Sequence, residues 1–440
     1  MSTARRAERT DRVDDPQTQS SPVSRLARKL GVADAVMVGL GSMIGAGVFS
    51  AVGPAARAAG NTIVVALLVA GALAYCNATS SAQLAALYPE SGGTYVYGRR
   101  RLGPVWGFLA GWGFVVGKLA SCAAMALTFG HYAAPALARP MAILAVVSLT
   151  AVNYFGVRKT VGATRLIVVV VLAALAICLV GTLAGGTASW TRLWPLDRVG
   201  PRAVLQAAGL LFFAFAGYAR IATLGEEVVD PARTIPRAIP IALGITLAVY
   251  AAVTLSTLAA AGSGVLAASR APLADAIRLG RLAPLAVVAR IGAPLASLGV
   301  LLSLIVGVSR TIFAMAAQRD LPSWLSAVHP RHRVPHHAEL AVGAGVAVLV
   351  AALDLRDAIG FSSFTVLTYY AVTNAAALTL GSSERRVPRA IALVGLGGCL
   401  LVAVSLPGKA VLSGVAVLAL GLTAFAVRRL TLFHADDTRL

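Results

Sequence analysis

Charged residues are scarce in this chain. They make up 13% of its 440 residues, against 58% hydrophobic ones, and the mean hydropathy is +0.79. So little charge cannot cover a soluble globule, which excludes an ordinary soluble protein. Acidic residues are rarer still: 18 Asp and Glu face 38 Lys and Arg, for a net charge of +20. The basic residues stand in short clusters between long apolar runs, the positive-inside pattern of membrane loops, so no nucleic-acid partner is expected. Cysteine is also sparse. Cys76, Cys122, Cys178 and Cys399 stand singly, with no C-x-x-C pair, which indicates neither a metal site nor a disulfide framework. They read as small buried hydrophobes. His329, His332, His336 and His337 share a loop with Pro330 and Pro335 and read as a solvated loop rather than metal ligands. The apolar runs hold no paired carboxylates, metal-ligand set or nucleophile–base pair, and no nucleotide-binding motif is present. Neither an enzyme, nor a cofactor, nor an ATP-driven pump is expected.

What the chain has is apolar length. Runs lie near 34–56, 62–87, 103–127, 132–153, 164–185, 203–224, 237–261, 284–316, 338–353, 358–380, 388–406 and 409–427. Their length suits helices rather than a barrel, so the fold class is an all-α polytopic membrane protein of about twelve transmembrane helices. Residues 1–24 form a polar tail, expected to be disordered and cytoplasmic, with 428–440 as its C-terminal counterpart. An even number of spans puts both termini on one side. The bias of Arg and Lys, including Arg99, Arg100, Arg101, Arg385 and Arg386, makes that side the cytoplasm of a multi-pass protein of the cell inner membrane. The outer loops carry arginines too, so the rule is obeyed imperfectly. The loop 262–283 contains a candidate surface helix over Ala274–Leu282.

The first run is crowded with glycine: Gly39-Leu40-Gly41-Ser42-Met43-Ile44-Gly45-Ala46-Gly47-Val48-Phe49. Each glycine costs a helix about 1 kcal/mol relative to alanine. Backbone freed at membrane depth persists only where it lines a cavity or is buried in protein. The run therefore reads either as a discontinuous helix holding a small polar solute, or as a Gly41-x-x-x-Gly45 packing face. The sixth run carries Phe212-Phe213-Ala214-Phe215-Ala216-Gly217-Tyr218, aromatics around small residues, which suits a ligand wall or an aromatic packing cluster. A first and a sixth span both interrupted point to a five-plus-five inverted repeat with discontinuous helices 1 and 6. That divides the chain into repeats 25–202 and 203–383, with helices 11 and 12 in 384–427.

These stretches resemble the amino acid–polyamine–organocation superfamily. Gly41-Ser42-Met43-Ile44-Gly45-Ala46-Gly47-Val48-Phe49 resembles its first-helix motif, and Tyr88-Pro89-Glu90-Ser91-Gly92-Gly93-Thr94-Tyr95 its loop after the second helix. Phe213 to Tyr218, Gly225-Glu226-Glu227 and Pro231-x-Arg233-x-Ile235-Pro236-Arg237 resemble its sixth helix and following loop. Ser309-Arg310, Ala314-Met315-Ala316 and Arg319-Asp320 resemble the end of its eighth. The resemblance implies a bacterial permease, a secondary transporter moving amino acids across the lipid bilayer by alternating access, proton-coupled or exchanging. It implies that amides near Gly45, Ala46 and Gly47 receive a substrate carboxylate. Carbonyls near Met43, Ile44, Phe213 and Ala214 receive its ammonium, and Phe215, Ala216 and Tyr218 form a side-chain pocket. Half-helix ends carry roughly ±0.5 charge, which suits a zwitterion. Transport of polyamines or other organic amines is the alternative substrate reading, and a non-transporting amino acid sensor the alternative class.

Two further expectations concern charge. Several proton-coupled relatives carry a lysine in the fifth helix where this chain has Val171. Lys118, about 22 Å along the third helix from Gly103, is the charge placed deepest, so it is the coupling candidate. A lysine that snorkels, or bonds carbonyls for structure alone, is the competing reading. Glu226, Glu227 and Asp230, beside Arg233 and Arg237, are gate candidates expected to pair with Arg25 or Arg28. A solvated loop whose ion pairs contribute about 0–1 kcal/mol competes.

Overall fold

The computed structural model describes residues 30–89, 92–156, 161–225 and 227–437. The N-terminal tail, Arg25, Arg28, Glu226 and the last residues of the C-terminal tail lie outside them. Among the described residues seventeen α-helices follow one another: α1 (Val32–Met43), α2 (Ala46–Ser50), α3 (Val52–Ala59), α4 (Ile63–Leu87), α5 (Thr94–Arg101), α6 (Pro104–Ala133), α7 (Ala138–Tyr154) and α8 (Val161–Leu183). Then come α9 (Pro201–Phe215), α10 (Ala219–Ala222), α11 (Pro231–Ala268), α12 (Pro272–Arg278), α13 (Ala286–Ala317), α14 (His336–Ala352), α15 (Leu355–Leu378), α16 (Arg389–Ser405) and α17 (Gly408–Asp437). Among the described residues there is no strand beyond one bridge, Leu30 to Val228. The chain is an all-α polytopic membrane protein.

Among the described residues nine helical segments are long and apolar enough to cross a bilayer, and α14 and α16 are shorter apolar helices. Helix α15 has the length, at 24 residues, but not the same apolar character. Its polar residues Ser362, Ser363, Thr365, Thr373 and Asn374 are buried inside the bundle, where Ser362, Thr373 and Asn374 find partners on other helices. Thus Ser121 meets Ser362 at 2.7 Å, and Ser80 donates to Asn374 Oδ1 at 2.7 Å. Lipid offers no hydrophobic drive for helix pairing, so such bonds, at about 0.6 kcal/mol each on average, and close packing hold the bundle together.

Burial sorts the helices. In α6, 78% of the apolar window is buried inside the protein, and 72% in the α9–α10 segment, against 28% in α17. Helices α6 and α9 are therefore central. Helices α7, α8, α16 and α17 turn large apolar side chains such as Leu144, Leu166, Leu400 and Leu412 outward, as lipid contact requires. The loop helix expected within 262–283 is α12, beginning at Pro272, and the preceding helix kinks at Gly262, where φ is +75°.

The first span is broken. Helix α1 stops at Met43, Ile44 and Gly45 are non-helical, and α2 starts at Ala46. The sixth span is interrupted differently. Between α9 and α10 the chain tightens into a 3₁₀ turn at Ala216–Tyr218, whose flanking dihedrals stay right-handed, so its backbone is overwound rather than opened.

Candidate functional site

The glycine-rich stretch is both interrupted and closely packed. Gly45 sits at φ −121°, outside the left-handed region. A Cβ there would come within 2.5 Å of Val300 Cγ2 on α13, and one at Gly41 within 3.0 Å of Thr164 on α8. Those two glycines serve helix packing. At Gly47 a Cβ would stand 2.5 Å from Ala214 Cβ, and at Gly217 only 2.3 Å from the Ser42 carbonyl oxygen. The broken first span and the interrupted sixth thus touch through glycine in both directions. A leucine at 45 or 47 would therefore strike neighbouring protein.

Tyr250, from α11, ties the two spans together. Its buried hydroxyl lies 2.6 Å from the Met43 carbonyl and 2.9 Å from that of Ala214. One hydroxyl proton serves one acceptor at a time, so the two carbonyls share a single donor. Met43 O also accepts from Gly45 N at 2.8 Å. On the other side of the break, Gly45 offers no capping side chain to α2. The first-turn N–H groups of a helix have no partner within the helix.

These elements border a cavity of about 180 Å³, far more than the roughly 10–15 Å³ that holds one water. Two helical stripes wall it. On α6, Gly111, Phe114, Lys118, Ser121 and Met125 recur every three or four residues. On α13, Val300, Leu304, Gly307 and Thr311 do the same. Of the residues singled out from sequence, Met43, Gly47, Phe213, Ala214, Ala216, Lys118 and Glu227 line this space. Phe215 and Tyr218 do not. Phe215 packs edge-on against Tyr250 at 4.9 Å, and Tyr218 stacks on Tyr370 at 5.0 Å, both away from the cavity. Ile44 and Gly45 also lie behind the lining. Asp230 caps α11 at φ +45°, with its carboxylate 3.6 Å from Arg233, and faces solvent.

Lys118 is 6% exposed, and Nζ lies 5.8 Å from the centroid of the Phe114 ring. It makes no hydrogen bond or ion pair among the described residues. It therefore neither snorkels to a surface nor bonds a carbonyl. Its amine faces the cavity.

One end of the cavity closes on charge. Glu227 stands 3.6 Å from Arg220. The expected partner of this loop was an arginine of the N-terminal tail, which lies outside the described residues. The chain at Leu30 pairs with the loop by backbone: Leu30 N–H donates to Glu227 O at 3.1 Å, and Val229 N–H to Leu30 O at 2.9 Å. Beside it, Asp320 accepts from Arg99 at 2.6 Å and from the Tyr95 hydroxyl at 2.7 Å. Burial, and then the Asp320 carboxylate, hold the Tyr95 phenol well above its ordinary range, so it stays a donor. Arg101 reaches Glu384 at 2.5 Å, and that bond, with the Gly381 N–H, keeps the Glu384 carboxyl below its ordinary range.

The profile of the amino acid permease family matches residues 30–427. The chain belongs to that family. The permease is 59% identical over 413 residues to an "uncharacterized transporter" of Mycobacterium tuberculosis, covering 94% of each chain. It is 25% identical to the branched-chain amino acid permease of Bacillus subtilis, over 87% of each chain. It is also 26% identical to the methylthioribose transporter of the same organism, over 90% of this chain and 92% of that one. Sequence reasoning missed Val300 and Tyr369 on the cavity wall of the permease, and Tyr250, which bonds the Met43 and Ala214 carbonyls beside it. The α13 stripe was legible as a helical period of small and apolar residues; Tyr250 carries no signal of its own.

Proposed function

We propose that the permease moves neutral, apolar amino acids across the cell membrane by alternating access, with both termini in the cytoplasm. The observation that carries the reading is the lining of the cavity between the touching first and sixth spans. Val300, Leu304, Met125 and Phe213 supply apolar wall, Lys118 supplies an amine that carries a proton, and Glu227, the carboxylate among the described lining residues, sits at one end beside Arg220. A polyamine or cationic amino acid would meet Lys118 with no carboxylate beside it among the described lining residues to offset it. A zwitterion finds helix N-terminal amides at α2 for its carboxylate and the Met43 and Ala214 carbonyls for its ammonium. The relation to a branched-chain permease supports an apolar side chain; the methylthioribose relative shows that family membership alone fixes no substrate.

The Leu30 pairing and the Asp320–Arg99–Tyr95 cluster then act as a cytoplasmic gate, and Lys118 couples proton movement to transport. The test is binding by the purified protein, read as thermal stabilisation over a panel of neutral, acidic and basic amino acids and spermidine. Stabilisation by leucine-like amino acids is expected. Stabilisation by spermidine or lysine alone would overturn the reading.

A further inference from the structure

A second cavity, of about 580 Å³, lies at the other end of α6 from the Arg99–Arg101 cluster. Four guanidinium groups border it, each from a different element: Arg57 on α3, Arg139 on α7, Arg270 before α12, and Arg356 on α15. Asp354 is the carboxylate on its wall, and that group already accepts the Asp357 N–H at 2.8 Å. Arg57 donates through Nε and Nη2 to the Ala267 carbonyl at 3.0 and 2.7 Å, and Arg139 reaches the Leu353 carbonyl at 3.5 Å. Arg270 and Arg356 make no hydrogen bond or ion pair among the described residues. Four fixed cations converging on one polar space repel one another, and a guanidinium fork matches a carboxylate or phosphate bidentately.

The two cavities nearly meet. Met125 lines the first and Leu127 the second, both on α6; Gly47 lines the first and Ser50 the second, both on α2. The wall between them is about one helical turn, or roughly 5 Å. The Tyr132 hydroxyl bonds the Phe49 carbonyl across it at 2.8 Å.

We propose that the arginine-lined cavity is a binding site for small carboxylates, in which an incoming solute is held one helical turn short of the central cavity. The choice of carboxylate over phosphate rests on the amino acid reading above; the presence of an oxyanion site does not. Clustered positive potential would also slow the approach of cations, which sets this entrance against polyamines.

The test uses the full chain in nanodiscs of zwitterionic lipid, with Cys76→Ser and a reporter Ala268→Cys at the exposed end of α11. Rates of modification by anionic and cationic methanethiosulfonates are compared, with acetate, inorganic phosphate or chloride added at equal ionic strength. Acetate should slow modification saturably where chloride does not. In the Arg270→Gln/Arg356→Gln variant that protection should vanish, and the anionic-to-cationic rate ratio should fall about tenfold. Arg270→Lys, which keeps the charge but not the fork, should keep most of the ratio and weaken protection. Equal protection by chloride would reduce the cavity to a screening effect and overturn the proposal. Protection by phosphate but not acetate would overturn it in favour of a phosphate headgroup site. Acetate protection in nanodiscs, with no amino acid uptake by the same protein in liposomes, would sink the transport reading and leave this site standing.

Discussion

The contact between Gly45 and Val300 separates packing from ligand approach in the broken first span. Adding one methyl at Gly45 forces it to 2.5 Å from Val300 Cγ2 and 3.2 Å from Val300 Cβ. Overpacking of this kind costs about 1–3 kcal/mol. Removing both Val300 γ-methyls clears the nearer clash and leaves the 3.2 Å contact, which is tight but tolerable after a small shift. Gly45→Ala alone should therefore destabilise the protein by about 2 kcal/mol, and Val300→Ala should recover more than half of that loss. Residues in direct contact are expected to show such coupling, on the order of 0.5–3 kcal/mol. The assay is a double-mutant cycle on thermal stability in detergent, with substrate affinity measured alongside. Additive effects of the two substitutions would refute the packing argument. Stability unchanged in Gly45→Ala, with binding lost, would return the glycine to the ligand.

Three further outcomes are expected. Tyr250→Phe removes the hydroxyl shared by the Met43 and Ala214 carbonyls but keeps the ring against Phe215; it should cost about 1 kcal/mol and weaken substrate affinity about fivefold, and unchanged affinity would remove Tyr250 from the site. Lys118→Met should leave the protein folded and exchanging substrate while abolishing pH-driven accumulation, and wild-type pH dependence would end the coupling role. Glu384, whose pKa the Arg101 bond lowers, stabilises the fold above the ordinary glutamate range and loses that contribution as pH falls through the lowered value. Glu384→Gln should therefore flatten the acid limb of the stability profile, and an unaltered limb would show the bond to be idle.

Much of the fold was legible because bilayer physics leaves few options. Apolar runs of about twenty residues must be helices, and α1, α4, α6, α8 and α13 fall where the runs are. Helix α15 was legible only as length, since Asn374 and its neighbours need partners from α4 that no local pattern names. At the site, the break at Ile44–Gly45 followed from glycine content, and Lys118 from its depth. The aromatic stretch was harder to read: a helix places Phe213 and Phe215 on different faces, so one lines the cavity and the other packs on Tyr250. The gate loop was found by its charge, yet it is joined to the first span by backbone bonds at Leu30, and backbone bonds leave no mark in side-chain identity.

The central claim, that this permease moves neutral amino acids, is tested most directly by uptake into liposomes holding the purified protein. Labelled leucine-like, acidic and basic amino acids and spermidine would be supplied with and without a proton gradient. The account predicts saturable accumulation of the neutral apolar amino acids above the external concentration, driven by the gradient. Binding of those amino acids without any accumulation, or accumulation confined to spermidine or basic amino acids, would contradict it.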